Sequence, residues 1–132
     1  MSRLDIANAV AVEQTIVPAA YTATETGSGV DLANADAAAV IFNVGAVSND
    51  DWTFEIQEAD DDGSGSPDSW DEVDASELDG TVPDGPSANT VTVVGYHGIK
   101  RHLRVVATDG GSGDAAFGVS VLLGRNRVQP TS

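Results

Sequence analysis

The feature that most constrains the fold is the strict alternation in Trp52-Thr53-Phe54-Glu55-Ile56-Gln57-Glu58. An extended chain with this period puts Trp52, Phe54 and Ile56 on one face and Thr53, Glu55 and Gln57 on the other. The same period, or a β-rich apolar run, recurs at 10–17, 38–44, 90–96, 103–108 and 117–123, with a shorter run at 70–73. No 3.6-residue period is sustained. The alanine-rich stretch 32–39 has room for one helical turn, but Val40-Ile41-Phe42 draws the continuing chain toward strand. Between these runs, 26–29, 60–67, 79–86 and 109–114 are rich in Gly, Asp, Ser and Pro, which turn the chain by adopting positive φ or by bonding their own backbone. Seven or eight short strands joined by such turns predict an all-β fold with little helix. The expected form is a single-domain antiparallel β-sandwich, jelly-roll or immunoglobulin-like, over 1–132, with flexible arms at 1–8 and 125–132.

The core of such a sandwich has to be built mainly from Val and Ala, because aromatics make up only 5% of the chain. Trp52, Phe54, Trp70 and Phe117 are the expected anchors. The absence of cysteine removes disulfides, thiolate metal sites and thiol catalysis. Asp5 and Glu13 interrupt the N-terminal segment, which therefore does not read as a signal peptide. Nothing approaches the ~20 apolar residues of a membrane-spanning helix. The expectation is a protein made in the cytoplasm with no membrane partner.

Charge is distributed very unevenly. Nineteen of the twenty-one acidic residues precede His97, whereas Lys100, Arg101, Arg104, Arg125 and Arg127 all follow Gly98, leaving Arg3 as the remaining cation. A net charge of −15 argues against nucleic-acid binding, which rests on several Lys and Arg contacts to phosphate. Fifteen aspartates against one lysine resemble the surface of a protein adapted to a high-salt cytoplasm. Molar salt shortens the Debye length to ~3 Å and screens the self-repulsion that such a surface creates.

Three constellations invite a chemical reading. In the segment 60–71, Asp60, Asp62, Ser64, Asp68 and Asp71 follow the ligand spacing of an EF-hand calcium loop. Pro67, a final Asp in place of the longer Glu, and strand-like flanks count against calcium, and a solvated acidic hairpin accounts for the same residues. His97 and His102 are five residues apart, so in an extended segment they project to opposite faces and do not form a catalytic or metal pair. The run Gly95-Tyr96-His97-Gly98-Ile99-Lys100-Arg101-His102-Leu103-Arg104-Val105 reads as a turn leading into a strand. Arg101 would share a face with Leu103 and Val105, and Lys100, His102 and Arg104 would lie on the other. Its cations either pair internally with the strand carrying Glu55 and Glu58 or dock an acidic partner. No Gly-x-Ser-x-Gly elbow or phosphate-cradling loop is present, and no enzyme is expected.

The chain resembles small virion proteins from the head-gene modules of tailed phages and tailed haloarchaeal viruses. The resemblance runs through Pro18-Ala19-Ala20-Tyr21-Thr22-Ala23, Val30-Asp31-Leu32, Phe42-Asn43-Val44-Gly45, Glu55-Ile56-Gln57-Glu58-Ala59-Asp60, Trp70 with Val73, Leu78 with Gly80, the stretch 94–105, and Val121-Leu122-Leu123-Gly124. The chain departs from that pattern in its aspartate load and in the insertion-like segment 61–67. The resemblance implies a noncatalytic capsid decoration or head protein without a cofactor, on the outer capsid surface of the virion. Its implied partners are the major capsid protein and further copies of itself, as trimer, pentamer or hexamer. Lys100, Arg101, Arg104, Arg125 and Arg127 are the expected contacts to the capsid or between subunits. A tail or fibre-base module, or a calcium- or carbohydrate-binding sandwich, is the alternative.

Overall fold

A computed structural model describes residues 7–125 of the chain. Among the described residues ten strands form two antiparallel sheets: β1 (Val10–Tyr21), β2 (Glu25–Thr26), β3 (Val30–Asp31), β4 (Ala35–Asn49), β5 (Trp52–Ala59), β6 (Asp71–Glu72), β7 (Leu78–Asp79), β8 (Thr90–Tyr96), β9 (His102–Asp109) and β10 (Asp114–Arg125). The first sheet has the order β1-β10-β4-β8-β7. The second runs β2-β9-β5-β6, with β3 also paired to β9. The all-β sandwich expected from the alternation is the architecture observed.

Alternation explains which side chains meet between the sheets. From the first sheet come Val40, Phe42 and Val44 on β4, Val94 and Tyr96 on β8, and Phe117, Val119, Val121 and Leu123 on β10. The second supplies Trp52, Phe54 and Ile56 on β5 with Leu103, Val105 and Ala107 on β9. Thin Val and Ala layers leave a central gap that the aromatics fill. Phe117 meets the rings of Tyr21, Trp52 and Phe54 at centroid distances of 5.0, 5.0 and 5.1 Å, the last two edge to face, a geometry aromatic quadrupoles favour.

Trp70 differs from the expectation. It is only partly buried, outside the core, and the strand expected at 70–73 reduces to the two-residue β6 at the edge of the second sheet, with Val73 buried just beyond it. The helical turn allowed at 32–39 is absent, because a tight turn at Ala33 and Asn34 leads directly into β4. Among the described residues the one helical element is a 3-10 turn, Ala75–Glu77, where the Asp74 carboxylate accepts from the Ser76 amide.

Side chains and close backbone contacts tie the two sheets together at their margins. Thr15 of β1, 4% exposed, donates its hydroxyl to the Ser28 carbonyl at 2.8 Å and accepts from the Val105 amide of β9 at 3.3 Å. Gly27 must be glycine here, since a β-carbon would lie 2.2 Å from the Thr15 hydroxyl and 2.5 Å from the Val105 carbonyl. At another margin the β4–β5 and β9–β10 corners are joined through Asp51, whose carbonyl accepts from Gly110 and whose carboxylate accepts from Ser112.

Candidate interaction surface

The cationic segment leading into β9 is tied to its own chain. Arg101 precedes the strand and does not share the core face of Leu103 and Val105. Its guanidinium forms a two-pronged pair with Asp31, at 2.8 and 2.9 Å, and reaches Asp61 at 3.6 Å. The Arg101 guanidinium holds the Asp31 carboxyl down to about 2, and Asp31 in turn raises the Arg101 pKa. Lys100 bonds Asp60 at 2.8 Å, which pushes its pKa up. Arg104 donates to Gln57 at 2.8 Å and stacks over Trp70 at 4.4 Å from the ring centroid, while burial lowers its pKa. The directly bonded partners are therefore Asp31, Asp60, Asp61 and Gln57, while the expected Glu55 and Glu58 act on Arg104 and Lys100 through charge without a direct bond. The expected pairing partners lie along β5, whereas the loop after β5 and the strand β3 bring the carboxylates that reach Lys100 and Arg101. Arg125 ends β10, and Arg127 lies outside the described residues, as do most of the arms expected at 1–8 and 125–132.

The loop after β5 divides its aspartates among different tasks. One oxygen of Asp61 meets the ring nitrogen of His102 at 3.0 Å, and the other accepts from the Gly63 and Gly65 amides. Asp62 accepts from the Ser64 amide and hydroxyl and from the Ser66 amide. These bonds lower both carboxyl pKa values, with His102 the leading cause for Asp61 and the Ser64 amide for Asp62. Gly63 and Gly65, at φ 99° and 94°, supply the positive φ that lets the loop fold onto its own side chains. The four calcium candidates do not converge: Asp60 turns to Lys100, Asp62 to its own loop, Asp68 is exposed, and Asp71 sits on β6. Among the described residues no group of three or more His, Asp or Glu side chains is placed to hold a metal.

His102 is buried beneath that loop, whereas His97 is exposed and 3.9 Å from Asp79. The two histidines do not meet. The Gly95-Tyr96-His97-Gly98 turn has a structural meaning: Tyr96 buries its ring, donates to Glu58 of β5 at 2.7 Å and accepts from the Lys100 amide at 3.2 Å. Burial, then the Glu58 bond, pushes the phenol pKa upward. Gly98 leaves room for that ring, because a β-carbon there would lie 2.3 Å from the phenol oxygen.

The surface that sequence reasoning missed is the outer face of the first sheet. Directly paired residues share a face, so Val12, Leu122, Ala39 and Gly95 form one outward row and Gln14, Ser120, Ile41 and Val93 the next. Gly118, Asn43 and Val91 form a third, with the Pro18 ring laid over Gly118. Val10, Gly124 and Ala37 extend it at one end, and Ala20 with Ala116 at the other. None of these positions on β1, β10, β4 and β8 carries a charge, in a chain that is 20% charged, and the row through Gly95 ends at the exposed carboxylate of Asp79 on the edge strand β7. Val12, Val91 and Val93 are 56%, 64% and 55% exposed. The opposite outer face differs, since its Glu72-Gln57-Arg104 row is charged at both ends.

The signal for this face lies in the residues alternate to the core positions on four separate strands. It becomes visible only when β1, β10, β4 and β8 are set side by side. Comparison of the chain with protein-family models, with curated proteins and with solved structures finds no match.

Proposed function

We propose that the chain is a noncatalytic structural protein of a tailed-virus particle, carried as a homo-oligomer on the outer capsid surface against the major capsid protein. The observation that supports an assembly role is a broad face of β1, β10, β4 and β8 without charged side chains on an otherwise acidic sandwich, with Val12, Val91 and Val93 exposed on it, since exposed apolar side chains gathered on one face mark interaction surfaces. Attribution to a virion rests on the residue pattern that runs from Pro18-Ala19-Ala20-Tyr21 to Val121-Leu122-Leu123-Gly124. The role is mechanical: a rigid two-sheet body repeats over a lattice, and many weak contacts add through multivalency.

Quantitative peptide mass spectrometry of purified virus particles tests the reading. The expected result is a copy number comparable to that of the major capsid protein. Tens of copies would place the chain at vertices or in the tail, and absence from the particle would overturn the proposal.

A further inference from the structure

We infer that the uncharged outer face of β1, β10, β4 and β8 binds the same face of a second copy of this chain, giving a two-fold dimer. This deepens the self-association in the proposed function by naming the surface and the partner. Charge selects a second copy. Two bodies of −15 each repel, and this face lets them meet across four uncharged strands, with Asp79 left at the β7 edge. A contact between two different faces would need another apolar face on the chain. The outer face of the second sheet, with Glu72 and Arg104 in one row, does not supply it. Like against like closes at two.

Area and relief agree with this. Four strands at ~4.8 Å spacing, with about nine residues each at ~3.3 Å, cover roughly 550 Å². Two such faces remove roughly 1,100 Å², above the ~1,000 Å² that a specific interface has to clear. On one margin Val91 and Val93 are both more than half exposed. Elsewhere on the face a shallow hollow of about 330 Å³ is lined by Pro18, Ala20, Asn43, Gly45, Ala116 and Gly118. Exposed apolar side chains and a hollow on one surface are what self-complementary packing uses.

The test is the molar mass of the full chain by sedimentation velocity at about 100 μM, in low and in molar NaCl, a range over which the Debye length falls from ~10 Å to ~3 Å. The expected mass is twice 13.5 kDa, with dimerisation tightening as salt rises, opposite to an interface held by ion pairs. Val91→Glu combined with Val93→Glu places charges in the contact and weakens dimerisation by roughly a hundredfold, while Thr108→Glu on the second sheet leaves it unchanged. Circular dichroism confirms that each variant is folded. If the double variant fails to fold, Val12→Glu on the opposite margin gives the same reading.

A monomer at molar salt, a trimer or higher ring, a dimer that survives in the folded face variants, or one that Thr108→Glu also dissociates overturns the inference. Its failure is separable from failure of the virion role. A monomer present on particles at capsid stoichiometry removes the interface alone, and a dimer absent from particles removes the role alone.

Discussion

Tyr96 of β8 donates its hydroxyl to Glu58 of β5 at 2.7 Å, so a single phenol pins one sheet to the other at the point where the chain turns toward β9. The ring lies against Gly98, and the same oxygen accepts from the Lys100 amide. A turn that reads in sequence as a loop is a buried fastening.

Tyr96→Phe leaves both the Glu58 carboxylate and the Lys100 amide without this partner and lowers stability by about 1–2 kcal/mol. Gly98→Ala costs more, about 2–3 kcal/mol, because its β-carbon displaces the ring. With the ring already displaced, the phenol bond is lost in both backgrounds, so the double variant costs less than the sum. Urea unfolding of the four proteins checks this, and strict additivity would count against the pin.

Asp31 has a folded pKa of about 2 against an ordinary 3.8, owing first to its bond with Arg101. For a carboxyl depressed in the folded state, the stabilisation is fully present above the unfolded value and disappears as pH falls through the folded one. Asp31→Asn therefore lowers the melting temperature by a constant amount above pH 5, and the gap to the unsubstituted chain closes between pH 4 and about pH 2. Thermal melts across that range measure it. A gap that persists at pH 2 would show that the pair contributes nothing through ionisation.

Calcium at millimolar concentration and fixed ionic strength leaves the melting temperature unchanged, because Asp61 and Asp62 are engaged by the amides of their own loop and Asp60 by Lys100. A ligand that bound only the folded state would raise it. A rise with calcium that magnesium does not reproduce would reinstate the loop as a metal site.

Added NaCl stabilises the monomeric face variant as well as the unsubstituted chain, since the −15 charge is self-repulsive in dilute buffer. Shortening the Debye length from ~30 Å to below 10 Å raises the melting temperature by roughly 5 °C or more. Most of that rise falls below about 0.5 M, where screening outweighs salting-out of apolar surface. A flat response over that range would mean that the carboxylates are too far apart or too well paired for repulsion to matter.

Strand identity is legible because alternation is local: Trp52, Phe54 and Ile56 announce a buried face without reference to anything else in the chain. Trp70 reads wrongly as a core anchor for the complementary reason. A large aromatic is attractive wherever it falls, and only the short β6 at the sheet edge, with Arg104 beside it, decides that its ring covers a cation on the margin. Lys100 and Arg101 are visible in sequence as a cationic cluster. Their partners Asp60 and Asp31 lie 40 and 70 residues away, and no local pattern selects those two from fifteen aspartates.

The sequence by itself determined the β class, the turns, most of the core-facing residues and the acidic character, all of which come from side-chain period, local turn chemistry and composition. Only the tertiary structure decided the strand order, the pairing of the cations, the scattering of the candidate calcium ligands and the existence of an uncharged face. That face is assembled from alternate residues of β1, β10, β4 and β8, drawn from the two ends and the middle of the chain. Hydrogen bonding between distant strands brings them together, and such pairing is a long-range property that no single segment encodes.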